Sequence, residues 1–354
     1  MGTLWYIEKE RLSGQFTVPT WVNRVDVNPK NSTQFSVSGK NYFRIWEFDI
    51  STRNFEIHKE SLNTFQELEK EHIIDHCWIP ENNLIVAATA QNLIYICSMT
   101  EIVLKYNFEY IPAELLNNDD TTNGGEKDRD SISEVDNLPA EEKKQENHAI
   151  SCLEPTSKGF VVGLKKIPAI CLFELDKNNE LQNLGSFRSR EDNVQGISSI
   201  STSADDLYLA VSVLSSNRAI VVENNEQESN KKDSLLSKFI QSMIQMQEEE
   251  SKRKLDLYIF NKAVVDAVKS VQKDPFEPIF EKGVHNGAIK TVALCPSKTL
   301  LVSLADDNTA KFWEYGNDYR ELYSIFFHDH PECIAIHPLA IQIAIGFSEG
   351  YLYI

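Results

Sequence analysis

The sequence predicts an all-β fold of the β-propeller class, and the prediction depends on a repeated unit, its period and the insertions that interrupt it. A unit of three short apolar strands separated by polar turns occurs six times in the 354 residues. The residue that ends the first strand of each unit is Pro or Ser, at positions 29, 80, 155, 203, 296 and 338. Three spacings are 51, 48 and 42 residues, and the other two, 75 and 93, each contain a polar insertion. A period of about 40–45 residues with four short strands per unit is typical of a propeller blade.

Short apolar runs between turn residues give the strands of each unit. The first strands are predicted at 25–28, 77–79, 151–154, 199–202, 292–295 and 335–337. The second strands are predicted at 34–38, 84–88, 160–163, 209–213, 300–304 and 342–346. The third strands are predicted at 43–46, 93–96, 170–173, 219–222, 310–313 and 351–354. With a partial unit at the N terminus, we predict six blades plus a partial one, of about four strands each.

The composition is that of a globular protein and narrows the classes of partner. There are 35 basic and 53 acidic residues, a net charge of −18, which argues against binding the phosphate backbone of nucleic acids. No run of residues approaches the roughly 18–20 apolar residues of a membrane-spanning helix. The six cysteines contain no CxxC pair and lie mostly in apolar runs, which indicates buried thiols in a reducing compartment. We therefore expect neither a nucleic acid, a membrane nor a small-molecule substrate as partner.

The fifth unit contains the polar residues that carry the clearest motif. It reads His285-Asn286-Gly287 before its first strand and Asp306-Asp307-Asn308 before its third, which ends at Trp313. This pattern resembles the WD40 repeat, and the resemblance implies a buried hydrogen-bond network formed by His285, Ser303, Asp307 and Trp313. The chemistry supports it independently, because a buried carboxylate needs donors and the N–H groups of His and Trp supply them. The same His, Asp and Ser could form a hydrolase triad, but no GxSxG motif accompanies them.

Two polar insertions separate the units. Residues 111–147 contain 11 acidic and 4 basic residues and few apolar ones, so we expect a disordered acidic loop between blades, either simply solvated or a docking site. Residues 224–255 predict an amphipathic helix that starts after Asp233. Its apolar stripe, which either folds back onto the propeller or binds a partner, consists of Leu235, Leu236, Phe239, Ile240, Met243 and Ile244.

Four stretches resemble one group of proteins more closely, namely residues 4–9, 37–44, 76–86 and 336–348. They are similar to the cilia- and flagella-associated WD-repeat proteins of the axoneme. The resemblance implies tandem propellers followed by coiled coils, and a scaffold that anchors or regulates inner dynein arms on doublet microtubules. Other axonemal proteins, including dynein arm components and doublet microtubule proteins, are then the expected partners, with the protein in the axoneme, the cytoplasm and the cytoskeleton.

Two arrangements of the blades agree with the sequence. In one, a single ring is closed by the N-terminal strands pairing with the last blade. In the other, residues 1–190 and 191–354 are blades of two tandem propellers, with a hinge near 185–195. The chain begins in mid-blade at Leu4 and ends in a strand at Ile354, which favours a piece of a longer parent.

The expected function is that of a rigid interaction platform without catalytic, cofactor-binding or metal-binding residues. The short stretch His328-Asp329-His330 has metal-ligand character, but no third ligand is evident nearby, which favours a solvated turn. The alternative function is a WD40 adaptor subunit of another cytoplasmic complex, in trafficking or in a ubiquitin ligase.

Overall fold

A computed structural model describes residues 2–6, 11–59, 61–110, 149–189, 194–215, 257–261, 276–278, 285–315 and 319–354. These residues form five four-stranded antiparallel sheets, one three-stranded sheet and one two-stranded sheet. The predicted all-β fold of the β-propeller class is therefore confirmed, with five four-stranded blades; the three-stranded and the two-stranded sheet lie where the sixth blade and the partial N-terminal unit were predicted.

The strands of the first half of the chain follow the predicted units. The N-terminal hairpin comprises β1 (Gly2–Tyr6) and β2 (Arg11–Phe16). Blade 1 comprises β3 (Val22–Val27), β4 (Gln34–Gly39), β5 (Tyr42–Asp49) and β6 (Asn54–Ile57). Helical turn α1 (Ser61–Thr64) and a 3-10 turn (Leu68–Lys70) precede blade 2, which comprises β7 (Ile73–Ile79), β8 (Leu84–Thr89), β9 (Leu93–Cys97) and β10 (Ile102–Asn107). Blade 3 comprises β11 (Ile150–Pro155), β12 (Gly159–Leu164), β13 (Ala169–Leu175) and β14 (Leu181–Arg188).

The second half contains the remaining three blades. Blade 4 comprises β15 (Val194–Thr202), β16 (Tyr208–Ser215), β17 (Leu257–Asn261) and β18 (Phe276–Pro278). Blade 5 comprises β19 (Ile289–Leu294), β20 (Leu300–Ala305), β21 (Thr309–Glu314) and β22 (Arg320–Phe326). Blade 6 comprises β23 (Pro331–Ile336), β24 (Ile343–Phe347) and β25 (Leu352–Tyr353).

The strands of each blade are hydrogen-bonded in chain order, and the first strands of successive blades contact one another from β3 to β23. These first strands are therefore the inner strands of the propeller. The turn between the second and third strands contains Asn41, Asn92 and Asn308 in blades 1, 2 and 5, with φ of 53°, 63° and 59°. Asn tolerates this left-handed conformation better than most residues, which explains its position in tight turns.

The hydrophobic core is divided among the junctions between blades. The largest apolar cluster lies between blades 2 and 3 and includes Val86, Ile96, Leu153 and Phe160, all of them buried. Strands β8 and β12 are buried along their whole length because each has a neighbouring sheet on both faces. Burial of one such side chain contributes about 1.5–3 kcal/mol, so packing between blades is the main source of stability.

One strand prediction is wrong, and several predictions lie outside the described residues. The third strand of blade 4 was expected at 219–222, but the strand that pairs with β16 is β17. Along the chain, the polar insertion of this blade therefore falls between its second strand, β16, and its third strand, β17. The acidic insertion 111–147 and the helical insertion 224–255, with its apolar stripe, lie outside the described residues.

The described N-terminal strands do not pair with the last blade, which the predicted single closed ring would require. Strands β1 and β2 pair with each other, and β2 contacts the outer strand β6 of blade 1 instead of pairing with the last blade. Blades 3 and 4 contact each other through β11 and β15, across the proposed hinge near 185–195. The division of the chain at residue 190 stays a prediction.

Candidate interaction site

Each of the four junctions from blade 1 to blade 5 contains a hydrogen bond of the same kind between inner strands. In each, a side-chain oxygen of one blade accepts a backbone N–H of the next blade. Asp26 accepts from Trp78 at 3.1 Å, and Asp75 accepts from Leu153 at 2.7 Å. Glu154 accepts from Thr202 at 3.1 Å, and Ser201 accepts from Leu294 at 3.0 Å. These four contacts, the inter-blade hydrogen bonds, connect blades 1 to 5 in series.

Arg24 links the first three blades through a charge cluster formed with Asp26, Asp75 and Glu154. Its Nη1 lies 3.2 Å from Oδ1 of Asp75, and its Nη2 lies 3.6 Å from Oε2 of Glu154. Nη1 also donates to the carbonyl oxygen of Leu153 at 3.2 Å. One guanidinium on blade 1 therefore contacts acidic residues of blades 2 and 3.

The charge cluster contains three carboxyl groups and one guanidinium, and burial dominates its electrostatics. Burial raises the pKa of Glu154 to about 7, against the opposing effect of Arg24. Burial also raises the pKa of Asp26 and of Asp75, although Arg24 again acts in the opposite direction. The Arg24 pKa is raised: burial alone would lower it, but Asp75 and Glu154 stabilise the charged form. The cluster therefore combines a permanent cation with carboxyl groups that bind protons more readily than free ones.

A second buried network crosses the junction between blades 1 and 2. The ring of His76 lies between two serines of β4, with Nε2 2.6 Å from Ser36 Oγ and Nδ1 2.8 Å from Ser38 Oγ. Trp78 donates its Nε1–H to Ser36 Oγ at 2.8 Å. Burial, together with the charge of Arg24, lowers the pKa of His76 to about 3, so its ring is neutral at physiological pH. This set of residues, the across-blade network, was not anticipated from the sequence.

The four residues expected to form a network in blade 5 lie together in the structure. His285 Nε2 is 2.7 Å from Ser303 Oγ, which also accepts the Nε1–H of Trp313 at 2.9 Å. On its other side, His285 Nδ1 lies 3.2 Å from Oδ2 of Asp307. Burial acts to raise the pKa of Asp307, but hydrogen bonds from His285 and Thr309 hold it well below its usual range. We call these residues the within-blade network.

The charge cluster and the across-blade network had a weak signal in the sequence. Asp26 and Glu154 are charged residues inside strands that were predicted to be apolar. Trp78 lies in the predicted strand 77–79, and His76 directly precedes that strand. Their partners in other blades lie 38 or more residues away in the chain, as in the contact of Ser38 with His76 or of Arg24 with Leu153. A motif within one repeat does not show such pairs.

The other candidate residues have ordinary surface contacts. Asp329 accepts a hydrogen bond from Tyr351 at 2.5 Å, and His330 Nδ1 lies 2.8 Å from Asn308 Oδ1. In the part of the chain that the structure describes, no group of three or more His, Cys, Asp or Glu residues is placed to hold a metal ion. The described residues also contain no helix that is long and apolar enough to cross a membrane.

Comparison with known proteins shows the class of fold to which the chain belongs. The family model "WD domain, G-beta repeat" matches residues 276–314, which include the within-blade network. The solved β-propeller domain of Cps50 (Swd1) from Myceliophteria_thermophila superposes with a TM-score of 0.53 at 11% identity, over 89% of this chain and 77% of that one. The chain thus has the fold of a WD40-type β-propeller, with one WD40 repeat matched at residues 276–314.

Similarity in sequence relates the chain to a narrower group of proteins than similarity in fold does. The chain is 25% identical over 216 residues to Cilia- and flagella-associated protein 57 A of Tetrahymena thermophila, which covers 61% of this chain and 14% of that protein. It is 28% identical over 65 residues to Cilia- and flagella-associated protein 57 C of the same organism, 18% of this chain and 5% of that one. The resemblance to cilia- and flagella-associated WD-repeat proteins is therefore confirmed, and the chain spans about one seventh of the length of the first of them.

Proposed function

We propose that this protein is a non-catalytic scaffold of the ciliary or flagellar axoneme that binds other axonemal proteins. The single observation that carries the proposal is that buried polar side chains form hydrogen bonds and ion pairs between neighbouring blades. The charge cluster and the inter-blade hydrogen bonds connect one blade to the next, so they maintain a rigid frame. Loops and edges on a rigid frame are then the elements that carry recognition.

The finer proposal is that the scaffold anchors or regulates inner dynein arms on doublet microtubules. Its support is the sequence relation to two proteins whose names place them with cilia and flagella. The net charge of −18 favours partners with basic surfaces, since complementary charge accelerates association and disfavours wrong partners.

The first test locates the protein in a ciliated cell. The endogenous gene is replaced by a tagged copy that encodes the full polypeptide, and isolated axonemes are extracted first with detergent and then with salt. We expect the tagged protein to stay with the axoneme after detergent removes the membrane and matrix. A soluble matrix protein and a doublet microtubule protein, followed in the same fractions, are the two controls.

The second test concerns the dynein arms. In a strain that lacks the protein, quantitative mass spectrometry of axonemes should show a selective decrease of inner dynein arm heavy chains, restored by the tagged copy. Outer arm dyneins are the internal control. Tagged protein confined to the cell body would reject the axonemal scaffold and favour the WD40 adaptor of another cytoplasmic complex. Axonemal signal with unchanged inner arms would reject only the dynein role.

A further inference from the structure

A pocket of about 470 Å³ lies at the outer rim of the junction between blades 2 and 3. One wall is the outer strand of blade 2, β10, and the other consists of β13, β14 and the turn that joins them in blade 3. Both blades are four-stranded sheets with a further blade on each side. The volume is in the range of about 300–1,000 Å³ that is usual for ligand sites. We call this site the rim pocket, and its lining residues lie between positions 103 and 106 and between positions 173 and 183.

The floor of the rim pocket is apolar. It consists of Val103, Leu104, Tyr106, Phe173 and Leu181. All five belong to the large apolar cluster between blades 2 and 3, in which Phe173 is buried and the other four are partly buried. A large apolar side chain that entered the pocket would extend this cluster and remove more apolar surface from water, which is favourable.

Two β-bulges shape the walls of the rim pocket. Val103 is the extra residue of a bulge in β10, since its neighbours on both sides pair with consecutive residues of β9. In blade 3 the register shifts on β14 beside Asn183, the partner of Phe173. A bulge bends its strand and redirects a side chain, and bulges are frequent beside functional sites. The outer strands of both blades therefore depart from a regular ladder at the place where they border the pocket.

The polar side chains of the rim come from a turn that is held by its own hydrogen bonds. Asn178, Asn179 and Glu180 belong to the turn between β13 and β14. Asp176 accepts the backbone N–H groups of Asn178 and Glu180, both at 2.8 Å, and so fixes the turn. Within the described part of the chain, no hydrogen bond or ion pair engages the side chains of Asn178, Asn179 and Glu180. The turn therefore presents two amides and one carboxylate at the mouth of the pocket.

These groups define the chemistry of the occupant. A side-chain amide has a donor and an acceptor side by side, and so it matches the peptide group of an extended chain. Among the described residues that line the pocket, Glu180 alone is charged, and its complement is a cation. Together with the apolar floor, these groups fit a peptide that has a large apolar residue beside Lys or Arg.

The chain leaves the blades toward its two insertions at the end opposite to the turn of the rim pocket. The turns after the first strands of blades 2, 3 and 4 lie together, since the N–H of Glu81 donates to the carbonyl oxygen of Ser157 and that of Ser157 donates to Asp206. Strands alternate in direction within a blade, so the β13–β14 turn lies at this same end, and the chain leaves β10 and β16 at the other end. Residues 111–147, with 11 acidic and 4 basic residues, also have the same sign of charge as Glu180. A separate partner with a basic segment is therefore the better occupant.

We propose that the rim pocket binds an extended segment of a partner protein in which a large apolar side chain stands next to Lys or Arg. The apolar side chain enters the floor, the cation pairs with Glu180, and peptide groups pair with the amides of Asn178 and Asn179. This proposal specifies the chemistry of one partner of the proposed scaffold and rests on that function. It is independent of the axonemal location, so the binding experiments can fail while the localisation experiment succeeds, and the reverse also holds.

Peptide selection tests the chemistry of the occupant. A phage library of random twelve-residue peptides is selected on the purified protein and counter-selected on Asn178→Trp, whose indole should cover the mouth of the pocket. Asn178 is exposed, so this variant should keep the circular dichroism spectrum of the wild type. Ser32→Trp is the matched control, because Ser32 is exposed in the turn between β3 and β4 of blade 1.

We expect the selected peptides to contain a large apolar residue next to Lys or Arg. In fluorescence anisotropy, Asn178→Trp should weaken the binding of such a synthetic peptide at least about tenfold, because the introduced ring excludes the apolar side chain. Ser32→Trp should bind it as the wild type does. Selection of acidic or wholly polar peptides, or of none that distinguish the wild type from Asn178→Trp, would overturn the proposal.

Exchange of charge tests the role of Glu180. Glu180→Lys should weaken the binding of the basic peptide by about 3- to 30-fold, because repulsion between like charges replaces an exposed ion pair. A peptide with Glu in place of each Lys or Arg should bind Glu180→Lys better than the wild type. Glu56→Lys makes the same change in net charge on exposed β6 of blade 1 and is the control. Equal effects of the two substitutions would mean that only the overall charge matters, which would overturn the pairing with Glu180.

The polypeptide itself is the remaining alternative occupant. The selected peptide is therefore also measured on the full polypeptide that the gene encodes and on a chain in which a Gly-Ser linker replaces residues 111–147. We expect the same affinity in both as in the 354-residue chain. Binding that is at least about tenfold tighter without residues 111–147 would show that this segment competes for the pocket. That result, or binding by the 354-residue chain but not by the full polypeptide, would overturn the proposal.

Discussion

The within-blade network of blade 5 and the across-blade network of blades 1 and 2 are built from the same three residue types. In each, a tryptophan donates its Nε1–H to a serine hydroxyl, at 2.9 Å in blade 5 and 2.8 Å between blades 1 and 2. In each, a histidine Nε2 contacts that same hydroxyl, at 2.7 and 2.6 Å. The difference is the connectivity, because one network joins strands of a single sheet and the other joins two sheets.

This difference shows that one hydrogen-bonding solution serves two structural purposes. The third partner of the histidine distinguishes them: Asp307 is a carboxylate at the surface end of blade 5, and Ser38 is a buried hydroxyl between blades. A carboxylate is tolerable in blade 5 because it is partly exposed and accepts several hydrogen bonds. The across-blade network instead consists of neutral groups, namely two hydroxyls, an indole and a neutral imidazole.

The largest expected effect is the loss of Trp78, whose side chain is 1% exposed between blades 1 and 2. Trp78→Ala should lower the free energy of unfolding by about 3–5 kcal/mol, because it leaves a cavity and removes the donor to Ser36. Trp21→Ala, at a side chain that is 89% exposed, should change it by less than about 0.5 kcal/mol. Urea unfolding followed by circular dichroism measures both, and equal effects would contradict the buried position of Trp78.

Substitution of His76 or His285 tests each of the two networks separately. His76→Ala and His285→Ala should each lower the free energy of unfolding by about 1–3 kcal/mol, because buried hydroxyls lose a partner. Exposed His330→Ala is the control, with an expected change within about 0.5 kcal/mol.

Hydrogen exchange then distinguishes the two connectivities. His76→Ala should accelerate exchange in peptides from both β4 and β7, which belong to different blades. His285→Ala should accelerate exchange in blade 5 peptides alone. Acceleration limited to blade 2 in His76→Ala would mean that the bonds to Ser36 and Ser38 do not stabilise blade 1.

Glu154 of the charge cluster and Asp307 of the within-blade network should respond to pH in opposite directions. The folded pKa of Glu154, about 7, exceeds the ordinary value of 4.5, so its contribution to stability is complete below pH 4.5 and is lost as pH rises through 7. The pKa of Asp307 is lowered, so its contribution is present above pH 3.8 and is lost only in stronger acid.

Glu154→Gln keeps an acceptor for the N–H of Thr202 and removes the titration. Between pH 5 and pH 8 the wild type should therefore lose about 2–3 kcal/mol of stability relative to this variant. Arg24, Asp26 and Asp75 face position 154 in both proteins, so their own titration largely cancels in the comparison. Urea unfolding at pH 5 and pH 8 measures this difference. If the two proteins differ in free energy of unfolding by the same amount at both pH values, the pKa of Glu154 is not raised.

The smallest expected effect concerns the surface. Lys290 lies 2.6 Å from Glu332 across blades 5 and 6, and Lys311 lies 3.2 Å from Glu321 within blade 5. Lys290→Ala and Lys311→Ala should each change the free energy of unfolding by about 0–1 kcal/mol, because solvent weakens both ion pairs. A loss above about 2 kcal/mol for Lys290→Ala alone would show that an ion pair between blades stabilises the protein more than an ion pair within a blade, even at the surface.

The sequence predicted the parts of this protein that repeat within one blade. Strand positions followed from alternating apolar runs and from turn residues such as Asn41 and Asn308, and His285 and Trp313 lie at fixed places inside one repeat. The third strand of blade 4 was misplaced because the insertion interrupts its sheet, and an apolar run at 219–222 has the same local pattern as β17. Local periodicity does not distinguish them.

Contacts between blades were beyond the reach of the same reasoning. Arg24 touches residues 51 and 129 positions away, and a single charged residue in an apolar strand does not specify its partner. The exposed valines of β3 have the same pattern as the buried isoleucines of β15, so exposure was not apparent from the residues either.

The inter-blade hydrogen bonds have similar geometry although the length of chain between donor and acceptor varies widely. Their partners are separated by 52, 78, 48 and 93 residues, yet all four distances lie between 2.7 and 3.1 Å. Doubling the length of a flexible loop adds only about 0.6 kcal/mol of closure entropy. Because the donor in each bond is backbone, only the acceptor side chain is specified by sequence. A gene for such a protein can therefore acquire long insertions between or within blades while the frame persists, provided that one acceptor per inner strand is retained.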